Sequence, residues 1–246
     1  MRLGILGGGR AAWAFGSAWK RIGWPLSGVW LRDASHSHIA ELLETARMEM
    51  GDLARDSELL LVAVSDRAIA EVANSVPETD ALIFHASGAL LSMRGGFSLH
   101  PLKALPPVGE PVDLAKTLLV FEGAHRRTAK LMAAAIGARF EEVSPEMKRL
   151  YHAAAVFGSN YIAAMLDISE RLMAKAGVES VRDEIIALAQ SAIENWSRHH
   201  DARRFTGPAA RGDREVIARH LEVLGDEPQL AEIYELLAAI ILASVK

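Results

Sequence analysis

The sequence predicts an α/β domain followed by an all-α domain, and three observations carry that expectation. A four-residue apolar run, Leu3–Leu6, leads into Gly7-Gly8-Gly9 and then into a helical pattern. Short aliphatic runs then alternate with stretches of helical spacing as far as residue 145. From Pro145 onward the strand signals stop and only helical periodicity remains. Alternation of the first kind argues for βαβ units on a parallel sheet. The domains are therefore placed at residues 1–145 and 146–246.

Each element follows from its local pattern. Leu3–Leu6 is the first strand. Ala11–Ile22 is helical, with Trp13, Phe15, Ala18 and Ile22 as apolar positions. Pro25 and Gly28 punctuate, and Val29–Leu31 forms the second strand. Ser37–Ala46 returns to helical spacing through Ile39, Leu42 and Leu43. Leu59–Val64 is continuously aliphatic, as expected of a strand covered on both faces. Ile69–Val76 is a short helix and Ala81–His85 another buried strand. Thr117–Phe121 and Arg139–Val143 are later strands flanking a helix over Thr128–Ile136. In the second half, Met147–Met173, Val181–Trp196, Arg214–Leu224 and Pro228–Val245 are helical. Breaks fall at Gly177, Arg198–Pro208 and Gly225–Pro228.

Composition narrows the classes. Half the residues are hydrophobic, enough for a sizeable core without staples. There is no cysteine, which removes disulfides, thiolate chemistry and cysteine-ligated metals. No metal site is expected. The net charge of −4 lacks the basic face of a nucleic-acid binder. No apolar run reaches the roughly 18 residues of a membrane span. Leu3–Leu6 is also too short for a signal peptide's apolar core. A cytoplasmic protein without nucleic-acid or membrane partners is the expectation. Trp13, Trp19 and Trp24 read as core or interface.

Gly7-x-Gly9-x-x-Ala12 has the G-x-G-x-x-G/A spacing of a dinucleotide-binding Rossmann turn. The first glycine allows the tight turn, the second lets a pyrophosphate approach the backbone, and Ala12 keeps helix and strand close. The helix N-terminus beyond supplies free N–H groups and partial positive charge. Gly8 and Ala11 belong to the same loop. Arg10 either touches phosphate or faces solvent. At the tip of the second strand, Arg32 suits the 2′-phosphate of NADP, whereas Asp33 suits the ribose hydroxyl of NAD. The position of Arg32 favours NADP over NAD. Val64 and Ser65, beyond the third strand, fall beside the nicotinamide ribose, and Asp66 either joins them or caps the next helix. A glycine-rich structural turn without ligand is the alternative to the whole reading.

Four further segments carry a resemblance: His85-Ala86-Ser87-Gly88-Ala89, His100-Pro101-Leu102, Tyr151-His152-Ala153-Ala154 with Ser159-Asn160-Tyr161, and Thr206–Asp213. With the glycine loop they resemble, in order and over essentially the whole chain, the family of Rossmann-like proteins with a C-terminal domain of unknown function 2520. Ala86 departs from the family's usual threonine. The architecture is similar to that of pyrroline-5-carboxylate reductase and ketopantoate reductase. The resemblance implies a C-terminal domain like that of 6-phosphogluconate dehydrogenase, NADP as cofactor and a homodimer.

Reduction of C=N or C=O needs a held nicotinamide, a proton source and a substrate anchor. Histidine suits proton transfer near neutrality. His100 and His152, with Asn160, are the candidate catalytic residues. His152 and Asn160 are placed on one helix, about 80° apart, where both could line a cleft between the domains. Ser87 completes the cofactor set. His85, at a strand end, together with Thr206 and Arg211 near a helix start, are candidate substrate contacts. For each, a structural hydrogen bond or ion pair is the alternative. The expected function is NADP-dependent reduction of a small imino or oxo acid; a non-catalytic NADP-binding sensor or scaffold is the alternative. The apolar run Leu236–Val245 must be buried in a core or a subunit interface.

Overall fold

A computed structural model describes residues 1–32 and 38–245. Asp33, the expected ribose contact of NAD, and Ser37, the expected start of a helix, lie outside the described residues. The chain divides into two compact units, Met1–Tyr161 and Ile162–Lys246.

The first unit is a seven-stranded sheet in the order β2-β1-β3-β4-β5-β6-β7. Its strands are β1 (Leu3–Leu6), β2 (Leu26–Trp30), β3 (Leu59–Val62), β4 (Leu82–His85), β5 (Phe97–Pro101), β6 (Leu118–Gly123) and β7 (Arg139–Glu142). Helices α1 (Arg10–Arg21), α2 (His38–Leu42), α3 (Met50–Asp56), α4 (Asp66–Ser75), α5 (Arg126–Ala135) and α6 (Lys148–Phe157) accompany it. One core holds Phe15 and Trp19 of α1 and Met132 of α5, with Phe84, Phe97 and Phe121 of the strands. The other holds Leu53 of α3 and Ile69 and Val72 of α4, with Leu60, Val62 and Ile83. Successive strand residues point to opposite faces, so the aliphatic run of β3 supplies both cores.

The sheet departs from the expected parallel arrangement at one place. β5, which carried no clear strand signal, pairs in parallel with β4, but β6 returns antiparallel to it, with His100 opposite Val120. The link between them contains Pro106, Pro107 and Pro111 and forms no helix. A crossover helix is what returns a chain to a parallel neighbour; without one the strand comes back beside its predecessor.

The unit ends later than residue 145 because α6 belongs to it. Lys148, in the first turn of α6, is 1% exposed and bonds into β5 and β6.

The second unit contains most of α7 (Asn160–Lys175), then α8 (Arg182–Arg198), a 3₁₀ turn (Ala202–Arg204), α9 (Gly207–Arg211), α10 (Arg214–Val223) and α11 (Pro228–Ser244). α9 packs on α10 and α11. Glu227, before α11, accepts from Arg171 and from Lys175 at 3.3 Å. Tyr234 of α11 meets His220 of α10 at 2.6 Å. Among the described residues no helix is long and apolar enough to cross a membrane.

Candidate functional site

The sheet reverses direction of growth at β1, with β2 on one side and β3 on the other. Crevices at such a switch point, beyond the carboxyl ends of the strands, receive ligands in open α/β sheets. A cleft of about 420 Å³ opens there. It is lined by Gly7–Ala11 after β1, Leu31 and Arg32 after β2, and Ala63–Ser65 after β3. Three loops separated in sequence thus converge where the sequence placed them. Ala12 is fully buried behind the loop.

The glycines do different work. Gly7 has φ +124°, and a Cβ there would stand 2.4 Å from the Ala63 carbonyl oxygen. The protein itself therefore requires glycine at this position. Gly9 is different: its φ is −87°, and an added Cβ would meet protein no closer than 3.8 Å. Gly9 is also the N-cap of α1, with no side-chain cap and no acidic residue in the first turn. The first N–H groups of a twelve-residue helix thus border the cleft without a side-chain acceptor, an arrangement suited to an anion.

Arg32 is exposed and makes no ion pair among the described residues. Arg10 donates to the Leu105 carbonyl at 3.2 Å, which ties the proline-rich loop to the cleft's rim. Asp66 is the first residue of α4 rather than its cap; Ser65 holds the N-cap position. The Asp66 carboxylate accepts instead from Ser87 Oγ at 3.0 Å. Ser87 Oγ in turn accepts from the N–H groups of Ala89 and Leu90. A smaller cavity of about 90 Å³, bounded by Val64, Asp66, Ala86 and Ser87, shares Ala11 and Ala63 with the main cleft.

His85 does not reach that space. It is 1% exposed, and both ring nitrogens serve the β4–β5 loop. Ser87 N–H donates to Nδ1 at 3.2 Å, and Nε2 lies 3.0 Å from the Leu91 carbonyl oxygen. An accepting Nδ1 makes Nε2 the donor, so the ring is neutral and braced. Burial, more than any neighbouring charge, lowers its pKa, in keeping with that state. The expected substrate contact is thus a loop brace.

His100 and His152 do converge. Their rings meet edge to face with centroids 5.8 Å apart. A Cβ added to Gly88 would stand 2.5 Å from His152 Nδ1 and 3.0 Å from His100 Nε2, so they meet over a position without a side chain. His152 Nδ1 is covered and without a hydrogen-bond partner, an orphaned polar atom of the kind that functional sites retain. His100 Nδ1 lies 2.6 Å from Tyr151 Oη. Burial first, then His152 and Lys148, lower the His100 pKa to about 4, against the pull of Asp66. Burial raises that of Tyr151 to about 12. At neutral pH His100 is therefore a neutral imidazole, its pKa well below the near-neutral value that suits proton transfer.

The sequence missed Tyr151 as a site group, and missed the polar network beneath it. Cross-strand register lines up His85, Ser98 and Glu122 in one row across β4, β5 and β6. Ser98 and His100, two apart on β5, share a face, as do Lys148, Tyr151 and His152, at helical spacing on α6. The two faces meet. Lys148 Nζ donates to Ser98 Oγ and, at 3.0 Å, to Glu122 Oε2. Glu122 also accepts from Ser92 N–H at 2.8 Å and Ser92 Oγ at 2.9 Å. Burial pushes the Lys148 ammonium down against Glu122's pull. Burial would raise the Glu122 carboxyl, but its bonds to Lys148 and Ser92 hold it low. The only sequence signal was an isolated glutamate inside an otherwise apolar strand.

The remaining expectations change. His152 and Asn160 do not share a helix: α6 stops at Phe157, Gly158 caps it, and Ser159 Oγ bonds back to the Ala155 carbonyl at 2.7 Å. Asn160 then opens α7, exposed, with its Oδ1 accepting from Ser159 Oγ. Thr206 is the N-cap of the five-residue α9 rather than part of a loop, and Arg211 is that helix's exposed last residue. Gly212 ends α9 in the left-handed region, and Asp213 caps α10 through Val216 N–H at 3.1 Å.

The family model for a Rossmann-like domain matches residues 1–102, and that for a domain of unknown function (DUF2520) matches residues 118–241. No match was found among curated proteins. Among solved structures, one similar chain is a Bacteroides fragilis protein for which NADP oxidoreductase activity has been suggested. It shares 23% identity over 98% of both chains, with a TM-score of 0.84. A 1-pyrroline-5-carboxylate reductase from Streptococcus pyogenes has a TM-score of 0.65 at 14% identity, covering 99% of this chain and 98% of its own. A reductive aminase from Aspergillus terreus, in complex with NADPH and ethyl levulinate, has a TM-score of 0.62 at 17% identity, covering 90% of this chain and 77% of its own. At these identities the likeness establishes a shared fold.

Proposed function

The chain belongs to the family defined by the domain of unknown function DUF2520, and we propose that it is an NADP-dependent oxidoreductase reducing a small imino or oxo acid by hydride transfer. The observation that carries the proposal is Gly9. The protein leaves open the space its Cβ would take, at the uncapped N-terminus of α1, inside a cleft lined by Arg32, which has no ion pair among the described residues. That cradle fits a pyrophosphate.

Gly7–Ala12 hold the pyrophosphate in this reading, and Arg32 pairs with the 2′-phosphate. Val64, Ser65 and Ser87 face the nicotinamide end, with Asp66 holding Ser87 in place. The bound cofactor supplies the hydride. His100 and His152 of the first unit orient the substrate's reacting group; Asn160, Thr206 and Arg211 have no assigned part. NADPH-linked activity in proteins of the same fold supports the reading.

Fluorescence titration with NADPH and NADH, on wild type and Arg32→Ala, tests cofactor binding. Single-turnover oxidation of bound NADPH by a panel of oxo and imino acids tests chemistry. Tight NADPH binding with no oxidation across the panel would reduce the protein to a binding module.

The proposal includes a homodimer formed through the helical unit. Trp196 of α8 is 65% exposed, and Leu236 and Ile240 of α11 are 58% and 60% exposed. Within the C-terminal apolar run Ala238 is buried, while Leu236 and Ile240 stay exposed on the single chain. Leu236 and Ile240, one turn apart on α11, share a face, and exposed apolar side chains grouped in this way mark an interaction surface.

A further inference from the structure

We propose that the Tyr151–His100 pair is a fixed hydrogen-bond donor that selects an oxo group over a protonated imine. The selectivity rests on the reductase reading above; the donor geometry does not.

The direction of the Tyr151–His100 bond follows from the two groups. A phenol is the stronger proton donor, and a neutral imidazole nitrogen the stronger acceptor. The hydroxyl has no other partner among the described residues, so donating to Nδ1 satisfies it. An accepting Nδ1 leaves the ring proton on Nε2. That nitrogen makes no hydrogen bond among the described residues, yet it is not sealed from solvent as His152 Nδ1 is. It lies against Gly88, where an added Cβ would stand 3.0 Å away, on the loop whose Ser87 bounds the smaller cavity beside the cofactor cleft. The pair therefore presents one N–H without a partner among the described residues, beside that loop.

The charges around the ring leave it a donor and nothing else. Burial is the largest of the effects that oppose a second proton on His100; His152 and Lys148 add to it, and Asp66 favours one. Lys148 itself is ion-paired with Glu122 at 3.0 Å. Tyr151, its pKa raised, keeps its proton.

A carbonyl oxygen has lone pairs to accept such an N–H. An imine accepts hydride readily only as its protonated form, whose nitrogen has no lone pair and turns an N–H toward the same point. In the carbonyl case the carbon gains the hydride and the π pair moves onto the oxygen held by His100. A proton from water completes the alcohol; the hydride would come from a dinucleotide that Gly7–Ala12 and Arg32 would hold, which would be oxidised in turn.

The test uses the full chain labelled with ¹⁵N-histidine, followed by two-bond ¹H–¹⁵N spectra between pH 5 and 8, with Tyr151→Phe alongside. His100 is expected as the neutral Nε2–H tautomer throughout, with the tautomer mixture shifting in Tyr151→Phe. An Nδ1–H tautomer, or an imidazolium at pH 6, overturns the donor. A second arm compares oxo and imino substrates of one carbon skeleton. At least tenfold preference for the carbonyl is expected, narrowing in Tyr151→Phe. Preference for the imine overturns the selectivity. Reduction of neither refutes the reductase reading and the selectivity with it, while the spectra still decide the donor.

Discussion

Replacing Gly9 by alanine separates a ligand cradle from a structural turn, and replacing Gly7 supplies the control. At Gly7 the backbone has φ +124°, and the new Cβ would press on the Ala63 carbonyl at 2.4 Å. Strain of this kind, with backbone as the obstacle, costs roughly 2–4 kcal/mol. For a chain of this size each kilocalorie lowers Tm by about 2–4 °C, so a loss of roughly 5–15 °C is expected. At Gly9 the backbone is already extended and the nearest protein atom is 3.8 Å from the added carbon. Stability should hold, or rise by up to about 1 kcal/mol as the unfolded chain loses freedom. NADPH affinity should nonetheless fall at least about tenfold, or about 1.4 kcal/mol, because the methyl occupies the approach to the α1 N-terminus. Differential scanning fluorimetry reads the first quantity and fluorescence titration the second. A Gly9→Ala protein with wild-type stability and wild-type NADPH affinity would refute the cradle.

Arg32→Ala should weaken NADPH binding roughly tenfold to a hundredfold, the range of a charge-assisted pair, and leave NADH binding unchanged in the same titration. Lys148→Met strands Glu122 in the core and should cost roughly 3–5 kcal/mol in urea unfolding, whereas Lys148→Met combined with Glu122→Leu should recover most of it. Stability should also fall with acid. The His100 pKa is lowered by burial to about 4, against an ordinary value near 6.5. Between these values the unfolded chain binds the extra proton, so this contribution, roughly 3 kcal/mol at most, is intact above about pH 6.5 and lost as pH falls through 4. Urea unfolding between pH 7.5 and 4.5 should show that slope, flattened in His100→Gln; equal slopes would contradict it. Light scattering at micromolar concentration should give a dimer mass, and Ile240→Asp with Leu236→Asp a monomer mass.

Local chemistry made part of this protein legible from its sequence. The glycine loop, the aliphatic strands and the helical second half each depend on residues within a few positions of one another, and these were read close to where they fall. The cleft beyond β1 was readable too, because a strand-to-helix turn at a switch point specifies its own surroundings. What the sequence could not decide depended on register and packing across long separations. β5 was hidden because Ser98 and His100 break its apolar pattern, and they do so because their partners, Glu122, Lys148 and Tyr151, arrive from other elements. The break between His152 and Asn160 turned on Gly158 and on Ser159 bonding backwards, inside a run that reads as one helix. The state of His100 was not written in its residue type. Its ordinary pKa lies near neutrality, and burial against Tyr151, His152 and Gly88, set by the meeting of one strand face with one helix face, lowers it to about 4.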